Sequence, residues 1–458
     1  MTTDDELGRA LVESLTYVGS RTRTPPGLLE RLRADLAPTP TRRVRWAPLA
    51  AAAAVLLLLS LAGVAVLRHA PDPVREPATT GAPPTYGSRS AASLASARWS
   101  TLPAAPIQGR GSAVGVWTGA RLLVWGGASP SSPQQPLGDG ASYDPVARVW
   151  ARLPVAPIAA RSSSASVWTG SVLFVWGGFT TASGARASDG ATYDPVARVW
   201  HRVPPAPVAG YQQALALTAG GSVLLVTTPP GDGAHVVHLQ AYRPDTDTWT
   251  RLPDLDLPDG HPALEVEALS TGDRLLLWSM WAHTVPVDGN GTETTYGIEG
   301  FTYDVAQQQW TPNGLGGTSV SAVRGPLWTG REVLLPAAPR YCGGCSGPIG
   351  GDLTGLRLDP TSGARSNIPH GPVDDGNPTD LWTGTALLAL DARGSSGSSW
   401  PGAAAVWDPA TGGWARLPDA PLGGTDGVVV WTGRSVLLWG TFSSGADPAG
   451  RTGGLELG

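Results

Sequence analysis

The chain has 458 residues, 60 of them Gly and 43 Pro, while charged residues make up only 15%. Helix breakers at about double their usual share argue against a helical bundle and for many short strands joined by turns. All 32 basic residues are Arg, which excludes Schiff-base chemistry, the Ser-x-x-Lys pair and the P-loop lysine, and the net charge of −5 gives no sign of a nucleic-acid partner. A hydrophobic content of 41% is enough for a packed core.

In chain order, residues 1–46 read as a cytoplasmic tail. Thr3 and Glu6 form a capping box ahead of the stripe Leu7, Leu11, Leu15 and Val18, and Pro25-Pro26-Gly27 precedes a second stripe, Leu28, Leu29, Leu32 and Leu36. So short a segment cannot build much of a core. It is either a solvated tail with nascent helices or a docking element for a cytoplasmic partner.

Residues 47–67 carry no charge and include Val55 to Leu59. As a helix they extend about 31 Å, enough for a hydrocarbon layer of about 30 Å. Eight Arg precede the span, with Arg42, Arg43, Arg45 and Trp46 beside it, whereas Arg68 and Arg75 alone follow within twenty residues. The positive-inside rule then places the N-terminus in the cytoplasm and the bulk of the chain outside. The competing reading, a cleaved signal peptide, fits poorly with so long a lead and no clear Ala-x-Ala site. Residues 68–95, rich in Pro, Ala, Ser and Thr, read as a linker.

The remainder, 96–458, is a repeat. Val116-Trp-Thr-Gly119, Arg121 to Gly127, Gly140 to Pro145 and Trp150 to Pro154 recur as Val167-Trp-Thr-Gly170, Val172 to Gly178, Gly190 to Pro195 and Trp200 to Pro204. A turn glycine falls at Gly119, Gly170, Gly220, Gly272, Gly330, Gly384 and Gly433, with spacings of 51, 50, 52, 58, 54 and 49. Each unit holds four apolar runs, strands a to d, and makes one antiparallel blade. The last unit lacks strand d, and an orphan strand d, Ala97 to Pro103, stands before the first. The expectation is an all-β, seven-bladed propeller closed by that strand.

In each unit strand c carries a Tyr and strand d a Trp seven positions later: Tyr143/Trp150, Tyr193/Trp200, Tyr242/Trp249 and Tyr303/Trp310, with Trp407/Trp414 as a variant and Leu358/Arg365 in the degraded fifth unit. With the double glycines Gly126-Gly127 and Gly177-Gly178, this resembles the Kelch propellers of the galactose-oxidase central-domain type. The resemblance implies the fold and leaves the activity open, because that fold hosts both enzymes and binding modules. Sixteen of the 19 Trp fall at repeat positions with a packing reason, and Trp46 belongs to the membrane interface. Trp281 and Trp400 are left over.

Alternation puts the a–b and c–d turns on one rim and the long, dissimilar b–c loops with the d–a connections on the other, where binding usually lives. Candidates on that rim are Trp281, His283, Arg340, Tyr341, Arg393 and Trp400, with loops expected at 282–299, 336–353 and 391–402. Arg110 and Arg161 share one d–a position in two units and are either structural or ligand contacts. Cys342 and Cys345, the two cysteines, read outside the cytoplasm as a local disulfide rather than a redox or zinc site. His235 and His238, three apart on an extended segment, point to opposite faces. Asp288, Asn290 and Glu293 form a polar loop without the twelfth-position Glu of a calcium site. The copper site of galactose oxidase cannot be carried over, since both Cys lie in one loop, and sialidase Asp-boxes are absent. The recurrent Asp144, Asp194, Asp359 and Asp408, each before Pro, read as turn residues.

No cofactor, metal or catalytic constellation is expected. The leading reading is a non-enzymatic, membrane-tethered, extracytoplasmic module that binds a protein, peptide or glycan. A signalling protein relaying to a cytoplasmic partner through residues 1–46, resembling anti-sigma layouts but without their zinc motif, is one alternative. A carbohydrate-active propeller enzyme (oxidase, lyase or mutarotase) is the other.

Overall fold

The computed structural model describes residues 89–129, 132–180, 184–208, 210–231, 234–259, 261–287, 291–314, 325–336, 355–373, 379–390, 403–420, 427–444 and 447–458. The expected tail, the expected span at 47–67 and most of the expected linker lie outside them. Among the described residues no helix is long and apolar enough to cross a membrane.

The described chain starts in the segment read as the end of the linker, and there it is already folded. Helix α1 (Ala91–Ala95) is capped by Ser90, whose hydroxyl accepts from the Ser93 amide. Its Leu94 is fully buried against Leu388, Val406 and Trp431. Strand β1 (Trp99–Thr101) follows. Blade one comprises β2 (Val114–Trp117), β3 (Leu122–Trp125), the side hairpin β4 (Ala128–Ser129) and β5 (Ser132–Pro136), then β6 (Gly140–Asp144) and β7 (Val149–Arg152). Blade two is β8 (Ala165–Trp168), β9 (Leu173–Trp176), β10 (Gly190–Asp194) and β11 (Val199–Val203). Blade three is β12 (Gln213–Ala219), β13 (Ser222–Thr228), β14 (Val236–Arg243) and β15 (Thr248–Arg251), with β16 (Leu255–Asp256) added on β14. Blade four is β17 (Ala263–Ser270), β18 (Arg274–Val287), β19 (Gly291–Asp304) and β20 (Gln309–Pro312). Blade five is β21 (Leu327–Trp328), β22 (Val333–Leu335), β23 (Gly355–Leu358) and β24 (Arg365–Ile368); blade six is β25 (Thr379–Trp382), β26 (Leu387–Leu390), β27 (Ala404–Asp408) and β28 (Gly413–Arg416). Blade seven takes β29 (Val428–Trp431), β30 (Val436–Ser444) and β31 (Asp447–Leu457) from the end of the chain and β1 from its start, in the order β1-β31-β30-β29.

The fold is a seven-bladed β-propeller. Each innermost strand touches the next, and β29 touches β2, so the ring is closed. Closure runs through the pairs Trp99↔Leu457, Ser100↔Glu456 and Thr101↔Leu455, which cover the edge of β31. The core is the set of seams between blades. Leu122 and Val124 pack back toward Leu437 and Trp439, while Leu123 and Trp125 pack forward against Leu173 and Tyr193. A strand buried on both faces in this way reads as an unbroken apolar run, as Leu122–Trp125 does.

Two local devices repeat. In the a–b turn a Thr hydroxyl accepts the amide of the residue three on, as Thr118 does from Arg121 and Thr169 from Val172, with Gly119 at φ +92° making the bend. In the c–d turn Asp144 Oδ1 accepts the amides of Val146 and Ala147, and these bonds, with Arg121 nearby, hold its carboxyl below the usual range. Asp194 and Asp359 accept two such amides each, which is the turn role expected of the Asp-Pro positions, and Asp304, before Val305, does the same.

The strand d Trp latches one blade to the one before. Trp150 Nε1 donates to the Pro103 carbonyl at 3.1 Å, Trp200 to Pro154 at 3.1 Å, Trp249 to Pro204 at 2.9 Å, Trp310 to Pro253 at 2.9 Å and Trp414 to Pro369 at 2.8 Å. Trp99 closes the series with a 2.7 Å bond to Pro418. In the fifth blade, Arg365 stands in place of Trp and its guanidinium donates to the Gly314 carbonyl.

One expected loop is a hairpin instead. Strands β18 and β19 pair continuously from Arg274↔Asp304 to Val287↔Gly291, across the segment read as the loop 282–299. The sequence of this segment is rich in Thr and Val, residue types that favour extended pairs.

Candidate functional site

The rim carrying the d–a and b–c connections divides into repeated and unrepeated side chains. The repeated ones are structural. Arg110 and Arg161 are 0% and 1% exposed. Arg110 donates from Nε to the Gln108 carbonyl and from Nη1 to the carbonyls of Gly126 and Asp139. Its Nη1 also pairs with Asp139 Oδ1 at 2.7 Å. Arg161 repeats this with Ala159, Gly177 and Asp189, and its Nη2 lies 2.8 Å from Asp189 Oδ1. Each Arg thus ties its own d–a segment to the double-glycine corner of strand b. That corner needs glycine: Gly126 sits at φ +69°, and a Cβ there would lie 2.7 Å from the Arg161 carbonyl. The Asp partners are legible only as a matched pair, Asp139-Gly140 and Asp189-Gly190, at the same phase of the first two units.

Tyr211 stands at the corresponding position before blade three and reaches the double-glycine corner of blade two. Its hydroxyl accepts the Gly178 amide at 2.6 Å, and burial raises its pKa, an effect the Gly178 bond partly offsets. The Arg186 guanidinium lies over the Phe179 ring, 4.6 Å from its centroid, and 6.0 Å from that of Tyr211. This is a cation held on aromatic faces at the rim.

The unrepeated group of most chemical interest belongs to blade four. His261 stacks flat on Trp281, with ring centroids 3.9 Å apart and planes at 2°. His261 Nδ1 lies 2.6 Å from Glu299 Oε1, and the His and Glu side chains are 34% and 17% exposed. Trp281 fits because Gly297 is its cross-strand partner; a Cβ at 297 would lie 2.2 Å from the indole. Sequence reading singled out Trp281 as unassigned by the repeat but missed His261 and Glu299, which lie 20 and 18 residues away and meet only through the pairing of β18 with its neighbours.

Nearer the axis, β17 carries Glu265, exposed, and Glu267, half-buried on the same face. Burial, with the charge of Glu265 as the second cause, pushes the Glu267 carboxyl up to about 7. The Gln213 amide bridges β12 to β17, donating to the Val266 carbonyl and accepting its N–H.

His238 lies on β14 with Nδ1 3.1 Å from Asp254 Oδ2, where Arg251 Nη2 also pairs at 2.6 Å. Burial acts to raise the Asp254 pKa, and the bonds from Arg251 and His238 outweigh it, so the carboxyl titrates below its usual range. His235, just before the strand, contributes its carbonyl to the Leu257 amide.

The chain matches no family model and no curated protein. Among the described residues no group of three or more His, Cys, Asp or Glu could hold a metal ion. The His283 side chain, and Arg340, Tyr341, Cys342, Cys345, Arg393 and Trp400, lie outside the described residues; the backbone of His283 pairs with Thr295 in the β18–β19 hairpin.

Proposed function

We propose that the protein is a binding module: a Kelch-type propeller, tethered to a membrane by residues 47–67, that captures a protein, peptide or glycan outside the cytoplasm on the rim of its b–c and d–a connections. One observation carries this. Side chains that recur from blade to blade are spent on latches and turns, whereas unrepeated aromatic and charged side chains gather on the rim with the dissimilar connections, above all His261, Trp281 and Glu299. A flat imidazole backed by an indole and held by a carboxylate offers a stacking face with a fixed hydrogen-bonding edge, which suits a sugar ring or an aromatic side chain. The Kelch assignment is supported by the double glycines and the opposed Tyr–Trp pairs, and the tether by the uncharged span and its Arg asymmetry.

The test uses full-length protein in lipid nanodiscs, screened against a glycan array and a displayed-peptide library. His261→Ala is expected to weaken capture of the selected ligand by about tenfold or more, since it removes both the stacking face and its hydrogen-bonding edge. A ligand held equally well by wild type and His261→Ala, or one that is chemically converted during capture, overturns the reading.

A further inference from the structure

The opposite rim has one irregularity that the topology imposes. In the blades whose strands c and d are consecutive, a short turn joins them, as Asp144 to Val149 does in blade one. In blade seven the two strands are β31 and β1, which come from distant parts of the chain, so no such turn joins them. At that seam, between blades seven and one, lies a cleft of about 730 Å³. This is within the range of small-ligand sites, roughly 300–1,000 Å³.

Its chemistry is one-sided. The apolar wall is Trp99, Trp117 and Val146. Trp99 spends its N–H on Pro418, whereas the Trp117 Nε1 is buried without a partner. Three guanidinium groups line the opening: Arg98, Arg148 and Arg434. Arg148 is engaged, donating to the Thr101 carbonyl at 2.8 Å and lying 3.4 Å from Glu456 Oε2. Glu456 is further occupied by the Ser435 hydroxyl at 2.9 Å. Among the described residues the Arg98 guanidinium donates to the carbonyls of Ser96 and Ala97, through one nitrogen. Neither Arg98 nor Arg434 has an ion-pair partner among the described residues. A chain with a net charge of −5 therefore gathers three guanidinium groups around one acidic side chain at an aromatic-walled cleft. Arg recognises carboxylate and phosphate through its planar fork, and an indole wall favours a flat apolar body.

We infer that this closure cleft binds an amphipathic anion: a flat apolar body carrying a carboxylate or a phosphate. The site is separate from the His261 rim and does not depend on the function proposed for it.

The experiment is calorimetric titration of the full-length protein, in zwitterionic nanodiscs with an empty-disc blank. The probes are 2-naphthoate, 2-naphthyl phosphate and the uncharged 2-naphthalenemethanol. At least one charged probe is expected to bind about tenfold or more tightly than the neutral one, and to weaken in roughly 0.5 M salt. The tighter of the two charged probes identifies the anion. Arg434→Glu and the double variant R98E/R434E are expected to lose about tenfold or more, while their melting curves match wild type because both side chains are exposed. Equal binding of the neutral probe, wild-type affinity in R98E/R434E, or no binding by either charged probe overturns the inference.

Discussion

The buried Arg staples of blades one and two form a natural experiment, because the same guanidinium geometry stands in two slightly different surroundings. In blade two the Gly177 carbonyl accepts from Arg161 and also from the Ser164 hydroxyl at 3.2 Å. The Asp189 carbonyl retains the Gly177 amide when the Arg is removed. Arg161→Met therefore removes three hydrogen bonds to carbonyls, and among the described residues it leaves only the exposed Ala159 carbonyl without a protein donor. Asp189 is 39% exposed and keeps Arg202 at 3.2 Å, so its charge remains solvated and paired. At about 1 kcal/mol per net hydrogen bond the cost is about 3 kcal/mol. In blade one, Ala113 occupies the position of Ser164, and Arg110 is the one donor to the Gly126 carbonyl among the described residues. Arg110→Met leaves that buried carbonyl bare, which adds about 1 kcal/mol. At ~2.1 cal/mol/K per residue over about 370 residues, the two variants melt about 4 °C and 5 °C below wild type. Equilibrium urea unfolding of both, with the slope unchanged, measures the difference directly. If Arg161→Met costs as much as Arg110→Met, or if both cost under about 1 kcal/mol, the staple account is wrong.

Deleting residues 89–103 removes α1 and β1 and uncovers the edge of β31. The expected result is aggregation or a large fall in melting temperature, and an unchanged curve contradicts the closure seen here. Trp150→Phe keeps an aromatic ring packed at a tilt against Tyr143 and Trp439 but loses the bond to Pro103, so it should cost only about 1 kcal/mol in urea unfolding; a cost of several times that would mean the indole does more than latch two blades. Glu267 binds its proton more tightly in the folded state, with a pKa of about 7 against an ordinary 4.5. Its contribution is complete below pH 4.5 and is lost as pH rises through 7, on the order of 3 kcal/mol in all, so Glu267→Gln should flatten the stability profile between these values, and an unchanged slope refutes the assignment. Finally, the proposed tether at residues 47–67, with the propeller outside, is tested by topology: protease added to cells stripped of their wall should digest the propeller, and its protection would overturn the proposal.

The sequence by itself determined the blade frame and its closure. The turn glycines, the Tyr–Trp phase and the orphan strand before the first unit are local, periodic signals, because each blade solves the same packing problem and each turn needs the same backbone. Periodicity also explains what it could not show. Arg110 is visible as a repeated residue, but its role depended on where Gly126 and Asp139 bring their carbonyls. Arg365 breaks the Trp pattern in sequence yet keeps the latch in space, because a long guanidinium reaches the preceding blade as an indole does. The hairpin β18–β19 was hidden by length, since a repeat frame of about fifty residues leaves any excess to be read as loop. His261, Trp281 and Glu299 belong to three different strands or connections, and only the pairing of β17, β18 and β19 sets imidazole, indole and carboxylate within contact. The closure cleft likewise has no sequence signature. It exists because two strands from opposite ends of the domain pair without a turn between them, and that is a property of the ring.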